Sequence, residues 1–132
     1  MRVCQRTHQG RVRSSNQDCL LVDGRVYGVA DGMGGHQGGE TASRVAVQVL
    51  KNALRGKLPD RRALEVGMEA ANRRVYDMAR HDSSLSGMGT TVTLLWEDGK
   101  RVLVGHVGDS RAYRLRGGEL KQIMQDHSIV AE

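Results

Sequence analysis

The sequence predicts an α+β protein in which strands come first, two helices follow, and a second group of strands completes the chain. Three observations predict this order: apolar runs separated by turn dipeptides, two longer stretches with helical apolar spacing, and further short apolar runs. Because the two helices are consecutive and do not alternate with strands, the pattern favours a layered sandwich over a parallel sheet. The 132 residues suffice for one domain with a modest core.

The first strands form a predicted hairpin. Residues 3–7 are a candidate strand, and the apolar runs at 19–22 and 25–30 flank the turn Asp23-Gly24. Asp-Gly between apolar runs is the strongest short hairpin signal in a sequence. A second such pair, Asp31-Gly32, leads instead into a glycine-rich loop, so we expect it to have a different role.

Two amphipathic helices are predicted next, at residues 39–54 and 60–80. Apolar residues in both recur at i, i+3, i+4 and i+7, which places them on one side of each helix. Gly56 is a plausible stop for the first helix, and Pro59-Asp60 opens the second. We expect a loop at 83–87.

Four short strands are predicted after this loop, with glycine-containing turns at 98–99 and 117–118. They are placed at residues 90–96, 101–106, 111–115 and 119–124.

Composition excludes several classes of protein. The net charge of +5 comes from 20 basic and 15 acidic residues, but the basic residues are scattered and lack interleaved aromatic residues, so solvated helix faces are favoured over nucleic-acid binding. Cys4 and Cys19 have no CxxC partner, which suits a reducing compartment. Residues 1–10 are polar, and no apolar run approaches the roughly 20 residues of a membrane span. We therefore expect a cytoplasmic protein without nucleic-acid or membrane partners.

Two acidic turns carry the chemical information. Asp31 follows the apolar run 26–30, and Asp109 follows the run 102–104. Carboxylates at strand ends beside glycines can approach a hard divalent cation closely, and oxygen ligands suit Mg²⁺ or Mn²⁺. The alternative for each aspartate is a structural role in a turn or cap.

A series of ordered motifs carries a resemblance to a known family. They read Arg13-x-x-Asn16-Gln17-Asp18, Asp31-Gly32-Met33-Gly34-Gly35, Met88-Gly89-Thr90-Thr91, Gly105-His106-Val107-Gly108-Asp109-Ser110-Arg111 and Asp126-His127-Ser128. From about Thr7 onward, the chain resembles the metal-dependent serine/threonine protein phosphatases, the PPM or type 2C family, in their bacterial form. The resemblance implies a layered αββα β-sandwich, of which residues 1–132 would be an incomplete, N-terminal half.

The resemblance also implies a binuclear Mn²⁺ or Mg²⁺ centre. Asp31 would bridge the two cations, the carbonyl of Gly32 would bind one of them, and Asp18 would act directly or through bound water. Asp109 would bind a third, weaker cation. Arg13 would hold the phosphate, because a planar guanidinium can bind two oxygens of a phosphomonoester. Asp31 and Arg13 are thus the expected catalytic residues; a surface role for Arg13, with Arg11 as its rival, stays open, as does an Asx turn for Asp18.

The chain departs from the family's pattern in two respects. Gln17 stands where many members have a carboxylate, which removes one negative charge. The family's later half supplies two further aspartates, and neither of their motifs occurs before Glu132. We interpret His36 as a loop residue, His106 as a hydrogen-bonded strand residue, and residues 126–127 as the beginning of the family's mobile flap.

The function expected from the resemblance is a metal-dependent protein serine/threonine phosphatase, or its N-terminal half. It would hydrolyse phosphoserine and phosphothreonine by direct attack of a metal-activated water on phosphorus. Its partner would be a phosphorylated protein, the substrate of a serine/threonine kinase. The alternative is a catalytically deficient phosphatase-like fragment that binds a phosphoprotein or a partner domain. Half a sandwich would leave an apolar sheet face in water, which predicts a homodimer or a complementary chain.

Overall fold

The computed structural model describes residues 2–35, 37–124 and 130–131. His36 and residues 126–127 lie outside this part of the chain. The expected α+β order is confirmed, and a single 3-10 turn, Ser83–Leu85, occupies the predicted loop. The elements are β1 Asp18–Asp23, β2 Val26–Met33, α1 Gly38–Leu54, α2 Arg61–His81, β3 Gly89–Thr90, β4 Val92–Glu97, β5 Val102–Val107, β6 Tyr113–Arg116, β7 Glu119–Gln122 and β8 Val130–Ala131.

The main sheet is antiparallel, with the spatial order β1-β2-β4-β5-β8. The short strand β3 pairs with β2 in the same register as β4, since Gly32 lies opposite Thr90 and Val29 lies opposite Thr93. Strands β3 and β4 are therefore one strand with an interruption at Thr91. Strands β6 and β7 form a separate two-stranded hairpin.

Both helices pack on one face of the main sheet. Helix α1 contacts α2 and covers β1, β2 and β3, while α2 reaches across to β5. Leu64 of α2 is fully buried. It lies above Gly105, where an added Cβ would be only 3.2 Å from a Leu64 methyl group. The absence of a side chain at Gly105 thus lets α2 approach the sheet closely.

The core lies between the helices and this face. Trp96 and Leu94 of the central strand β4 are each 1% exposed. The alternate residues Leu21, Val26 and Ala30 of the first hairpin are buried on the same side. The buried core contains Val, Leu, Ala and Met side chains and Trp96, in a chain that has no Phe.

The opposite face of the sheet is partly open. Val22 and Val29 are 43% and 42% exposed there. Residues 3–6 and 111–112 lie over part of this face and line a groove of about 330 Å³ with side chains of β1, β2 and β4.

The prediction of a strand at residues 3–7 is wrong. In the described part of the chain, the edge strand β1 pairs only with β2. The N-terminal segment lies against the face of the sheet and not at its edge, so no neighbouring strand supplies it with backbone partners. Its Thr7 hydroxyl instead accepts a hydrogen bond of 2.8 Å from the Asn16 side chain.

Neither helix that the structure describes combines the length and the apolar character needed to cross a bilayer.

Replacing Leu64 with alanine should lower the free energy of unfolding by about 2–5 kcal/mol, because a buried side chain between α2 and the sheet would give way to a cavity. Leu58→Ala is the matched control, since Leu58 is 78% exposed and its loss should change stability by less than about 0.5 kcal/mol. Urea unfolding followed by circular dichroism measures both variants. Equal destabilisation would contradict the packing of α2 on β5.

Candidate metal and phosphate site

Two carboxylates meet at one end of the first hairpin. The pairing of β1 with β2 puts Asp18 directly opposite Asp31. Residues directly opposite each other in an antiparallel pair project from the same face, with Cβ atoms about 4.5–5.5 Å apart. By strand alternation this is the face of Val22 and Val29, away from the helices. The sheet therefore presents both carboxylates side by side.

Electrostatic interactions place four of the expected site residues near one another. The pKa of Asp31 is raised, first by partial desolvation, then by a hydrogen bond shared with Asp18 and by the negative charges of Asp18 and Asp109. The positive charge of Arg13 opposes this rise in pKa. Partial desolvation, and after it the repulsion from Asp18 and Asp109, makes the ionised form of Asp31 costly until a positive charge arrives. A cation placed between Asp18 and Asp31 would relieve that repulsion.

Gly32 fits a space that no other residue could occupy. A Cβ at this position would overlap the carbonyl oxygen of Gly39 and lie 2.9 Å from the carbonyl oxygen of Gln17. The Gly32 N–H donates to the same Gln17 carbonyl at 3.0 Å. The backbone beside Asp31 is thereby held between the segment before β1 and the first turn of α1.

Gln17 has a structural role that the sequence interpretation missed. Its side-chain Nε2 donates to the carbonyl oxygen of Gly34 at 3.1 Å, and its amide packs where a Cβ on Gly39 would lie, 2.5 Å from Cδ. An ionised carboxylate has no proton to donate to Gly34. The amide therefore fastens the glycine loop after Asp31 to the segment before β1. A glutamine preceding an aspartate, with Gly34 seventeen residues later, gave no local signal of this bond.

The carboxylates open into a cleft of about 530 Å³. Arg13 lines this cleft, whereas Arg11 does not. The Arg13 backbone carbonyl accepts a hydrogen bond of 2.8 Å from Gln9 Nε2, which holds the turn that carries the arginine. The wall is completed by His8, Gln9, Ser15, Asn16, Gln17, Asp18, Asp31, Gly32, Met33 and Gly34.

Asp109 lies on a different segment of the chain from the pair of aspartates. It is exposed on the loop after β5, which turns at Gly108 with a φ of 107°. Its charge raises the pKa of Asp31. Across residues 2–35, 37–124 and 130–131, however, no three His, Cys, Asp or Glu side chains lie together as ligands of one ion. Asp18 and Asp31 thus form a pair of neighbouring carboxylates, and the Asp109 carboxylate is close enough to influence the pKa of Asp31.

Within the residues that the structure describes, His106 of strand β5 has a hydrogen-bond partner for only one of its two ring nitrogens. His106 is fully buried, and its Nδ1 lies 2.8 Å from the Thr93 hydroxyl. Its Nε2 has no hydrogen-bond partner among the described residues. The expectation of a buried, hydrogen-bonded histidine holds for one ring nitrogen.

Comparison with known proteins identifies the family. The family model for protein phosphatase 2C matches residues 5–130. This chain belongs to the protein phosphatase 2C family. The membership agrees with the ordered motifs between Arg13 and Ser128 that carried the resemblance.

Individual members of the protein phosphatase 2C family show how far the similarity extends. The serine/threonine protein phosphatase PstP of Mycobacterium tuberculosis is 38% identical over 134 residues, covering 98% of this chain and 26% of the relative. The serine/threonine phosphatase stp of Listeria monocytogenes is 34% identical, covering 96% of this chain and 55% of the relative. The crystal structure of a PstP catalytic domain in complex with two manganese ions superposes with a TM-score of 0.84 at 37% identity, covering 92% of this chain and 54% of that domain.

This chain thus spans between about a quarter and just over half of the relatives' lengths. The layered α+β fold of the matched structure is shared, and the matched part is an incomplete phosphatase domain.

Asp31→Asn should stabilise the metal-free chain at neutral pH, because it removes a carboxylate whose ionised form is disfavoured in the fold. A raised folded pKa implies no penalty below the ordinary value of about 3.9 and a full penalty above the folded pKa. The melting temperature in chelator should therefore exceed that of the parent at pH 8, and the difference should vanish near pH 3.5.

Asp82→Asn is the control of opposite sign. Hydrogen bonds from the hydroxyl and backbone N–H of Ser84 lower the pKa of Asp82, so its substitution should reduce the melting temperature at pH 8. A lower melting temperature for Asp31→Asn at pH 8 would contradict a destabilising contribution from the ionised Asp31 carboxylate.

Proposed function

We propose that this chain is the N-terminal part of a metal-dependent phosphatase domain that removes phosphate from phosphoserine and phosphothreonine in proteins. The observation that carries this proposal is the pair Asp18 and Asp31 in one cleft with Arg13. Carboxylate oxygens for cations and a guanidinium for phosphate are the two requirements of such a reaction. The names of the relatives, which are serine/threonine phosphatases, support the same conclusion.

The donor set of the cleft fits a pair of Mn²⁺ or Mg²⁺ ions. Asp18, Asp31 and the carbonyl of Gly32 would supply hard oxygen atoms to such ions. Asp109 would hold a further ion beside them. When bound, the ions supply charge stabilisation and an activated water as nucleophile. The two manganese ions in the PstP catalytic domain support this assignment.

The residues of the chain itself bind and orient the substrate. Arg13 holds two phosphate oxygens through its planar fork of N–H donors, leaving phosphorus accessible from the side of the carboxylates. Asp31 has to be ionised to hold its ions, and the charge of Arg13 favours that ionised form. Gly32 and Gln17 keep the Asp31 backbone fixed while charges change in the cleft. Asp31 and Arg13 are thus the catalytic residues of the proposal.

The substrate in this proposal is a protein phosphorylated by a serine/threonine kinase. The chain works in the cytoplasm, because exposed Cys4 and partly buried Cys19 are both free thiols, as is usual in a reducing compartment.

A catalytically deficient binding module is the second candidate. Gln17 favours it, since an amide bonded to Gly34 occupies a position that carries a carboxylate in many members of the family. In that case the cleft would bind cations and a phosphorylated segment without turnover.

Hydrolysis of a phosphothreonine peptide in the presence of Mn²⁺ tests the proposal. Arg13→Ala should lower kcat/KM by about a hundredfold, because a donor to the reacting phosphate is removed. Arg11→Ala is the matched control, since Arg11 is a neighbouring arginine outside the cleft, and its activity should equal that of the parent. Equal losses in both variants would contradict the role of Arg13. Peptide binding without Mn²⁺-dependent turnover would favour the binding module.

The open sheet face leads to a proposal about assembly. Val22 and Val29 leave apolar surface in water on the face opposite the helices. Burying about 500 Å² of such surface contributes on the order of 12 kcal/mol before association costs. The chain therefore forms a homodimer or binds a complementary chain through this face.

Sedimentation equilibrium should show a dimer at micromolar concentration, and Val22→Lys should shift it towards monomer by placing a charge in the interface. Val66→Lys is the control, because Val66 is 48% exposed but lies on helix α2. A well-folded monomer of the parent chain at high micromolar concentration would contradict homodimer formation.

A further inference from the structure

The ladder between β2 and its partner strand is altered at the residue expected to bridge two ions. Residues of a hydrogen-bonded antiparallel pair normally exchange two backbone bonds. The Thr91 N–H donates to the Asp31 carbonyl at 2.9 Å in the usual way. The Asp31 N–H, however, donates to the side-chain Oγ1 of Thr91 at 3.1 Å. The Thr91 carbonyl accepts the Thr90 hydroxyl at 2.8 Å instead.

The same threonine hydroxyl reaches the loop that carries Asp109. Thr91 Oγ1 lies 2.9 Å from Ser110 Oγ, a hydrogen bond in which either hydroxyl can be the donor. Thr91 itself is 6% exposed, and both bonds of its hydroxyl are partly buried. A chain of hydrogen bonds thus runs from the Asp31 amide through two hydroxyls to the residue following Asp109.

The methyl group of Thr91 is confined as closely as its hydroxyl. A Cβ on Gly108 would lie 2.6 Å from Thr91 Cγ2, and Gly108 has a φ of 107°. Glycine is therefore required there on two grounds, the space and the backbone conformation. The Asp109 loop thus packs directly against Thr91, beside the hydroxyl that bonds to Asp31 and Ser110.

We propose that Thr91 is a positioning residue that couples the backbone of Asp31 to the Asp109 loop through its hydroxyl. Because the Asp31 N–H bonds to the Thr91 hydroxyl, a change at Ser110, which contacts the same hydroxyl, can alter that bond. A regular backbone bond to the Thr91 carbonyl would not be linked to Ser110 in this way. The proposal extends to metal binding, where it rests on the proposed function: the position of the Asp31 carboxylate, and hence its affinity for ions, depends on Ser110. Thr91 itself touches no reacting group.

If Thr91 contributed only to stability, its loss would have a different effect from the one proposed. Thr93 supplies a comparison on the same strand, because its hydroxyl also makes a buried hydrogen bond of 2.8 Å, to His106. Loss of either hydroxyl should lower stability. Only the loss of Thr91 or Ser110 should alter the environment of the Asp31 amide, since only they belong to the chain of bonds.

The test compares Thr91→Val, Thr91→Ser, Ser110→Ala and the control Thr93→Val with the parent chain. The first readout is the amide chemical shift and hydrogen-exchange rate of Asp31 in chelator. Thr91→Val and Ser110→Ala should change both, while Thr91→Ser and Thr93→Val should leave them near the parent values. The second readout is Mn²⁺ affinity by calorimetry. Thr91→Val should bind about fivefold more weakly, the effect of one net hydrogen bond, with rescue by Thr91→Ser.

An unchanged Asp31 amide in Ser110→Ala would overturn the coupling. A changed amide with equal Mn²⁺ affinity in the parent and Thr91→Val would overturn its extension to metal binding. If the parent chain binds no Mn²⁺, the proposed function fails for this chain, and the amide readout in chelator still decides the coupling. Should Thr91→Val fail to fold, Ser110→Ala takes its place as the variant expected to differ from the parent chain in both readouts. Thr91→Ser remains the variant expected to match the parent chain.

Discussion

The cost of holding an ionised, partly desolvated Asp31 beside Asp18 is the constraint on which the rest of the site depends. The register of the first hairpin makes these two carboxylates neighbours, and the fold has to hold them there against their mutual charge. Arg13 offsets part of that charge, and bonds from Gln17 and Thr91 hold the backbone on both sides of Asp31. If the cleft binds cations as proposed, its carboxylates are already in place before a cation arrives.

Close contact between backbones provides the rigidity. Gly32 approaches the first turn of α1 so closely that a methyl group could not be inserted. Helix α1 is in turn fixed by its buried side against β1, β2 and β3. The apolar core on one face of the sheet therefore stabilises the position of charged groups on the other. The face covered by the helices supplies the packed core, and the opposite face carries both the carboxylates and the partly exposed valines Val22 and Val29.

Patterns with a local cause could be predicted from the sequence. The helices followed from apolar spacing, and the first hairpin followed from Asp23-Gly24, because each signal lies within the element that it forms. The ordered motifs correctly indicated the family, and the acidic turns are the basis of the candidate site, which stays a prediction. What they could not supply was the partner of a given polar group.

The features that the sequence did not reveal depend on distant contacts. The role of Gln17 requires Gly34, and the role of Thr91 requires both Asp31 and Ser110. The incorrect prediction of a strand at residues 3–7 has the same cause. A strand forms only where a neighbouring strand provides backbone hydrogen bonds, and the local sequence does not show whether one is present. The local sequence around Gln17 or Thr91 does not indicate which distant residue each will bond to.

The bond between Asp31 and Thr91 spans 60 positions of the chain, and both helices lie within that interval. Closing so long a segment costs conformational entropy before any contact repays it. The hairpin that carries both carboxylates can form early, but its acidic end acquires its final geometry only when the later strands dock beside it. Capture of a cation would therefore act as a late step in folding and would report that the sheet has been assembled.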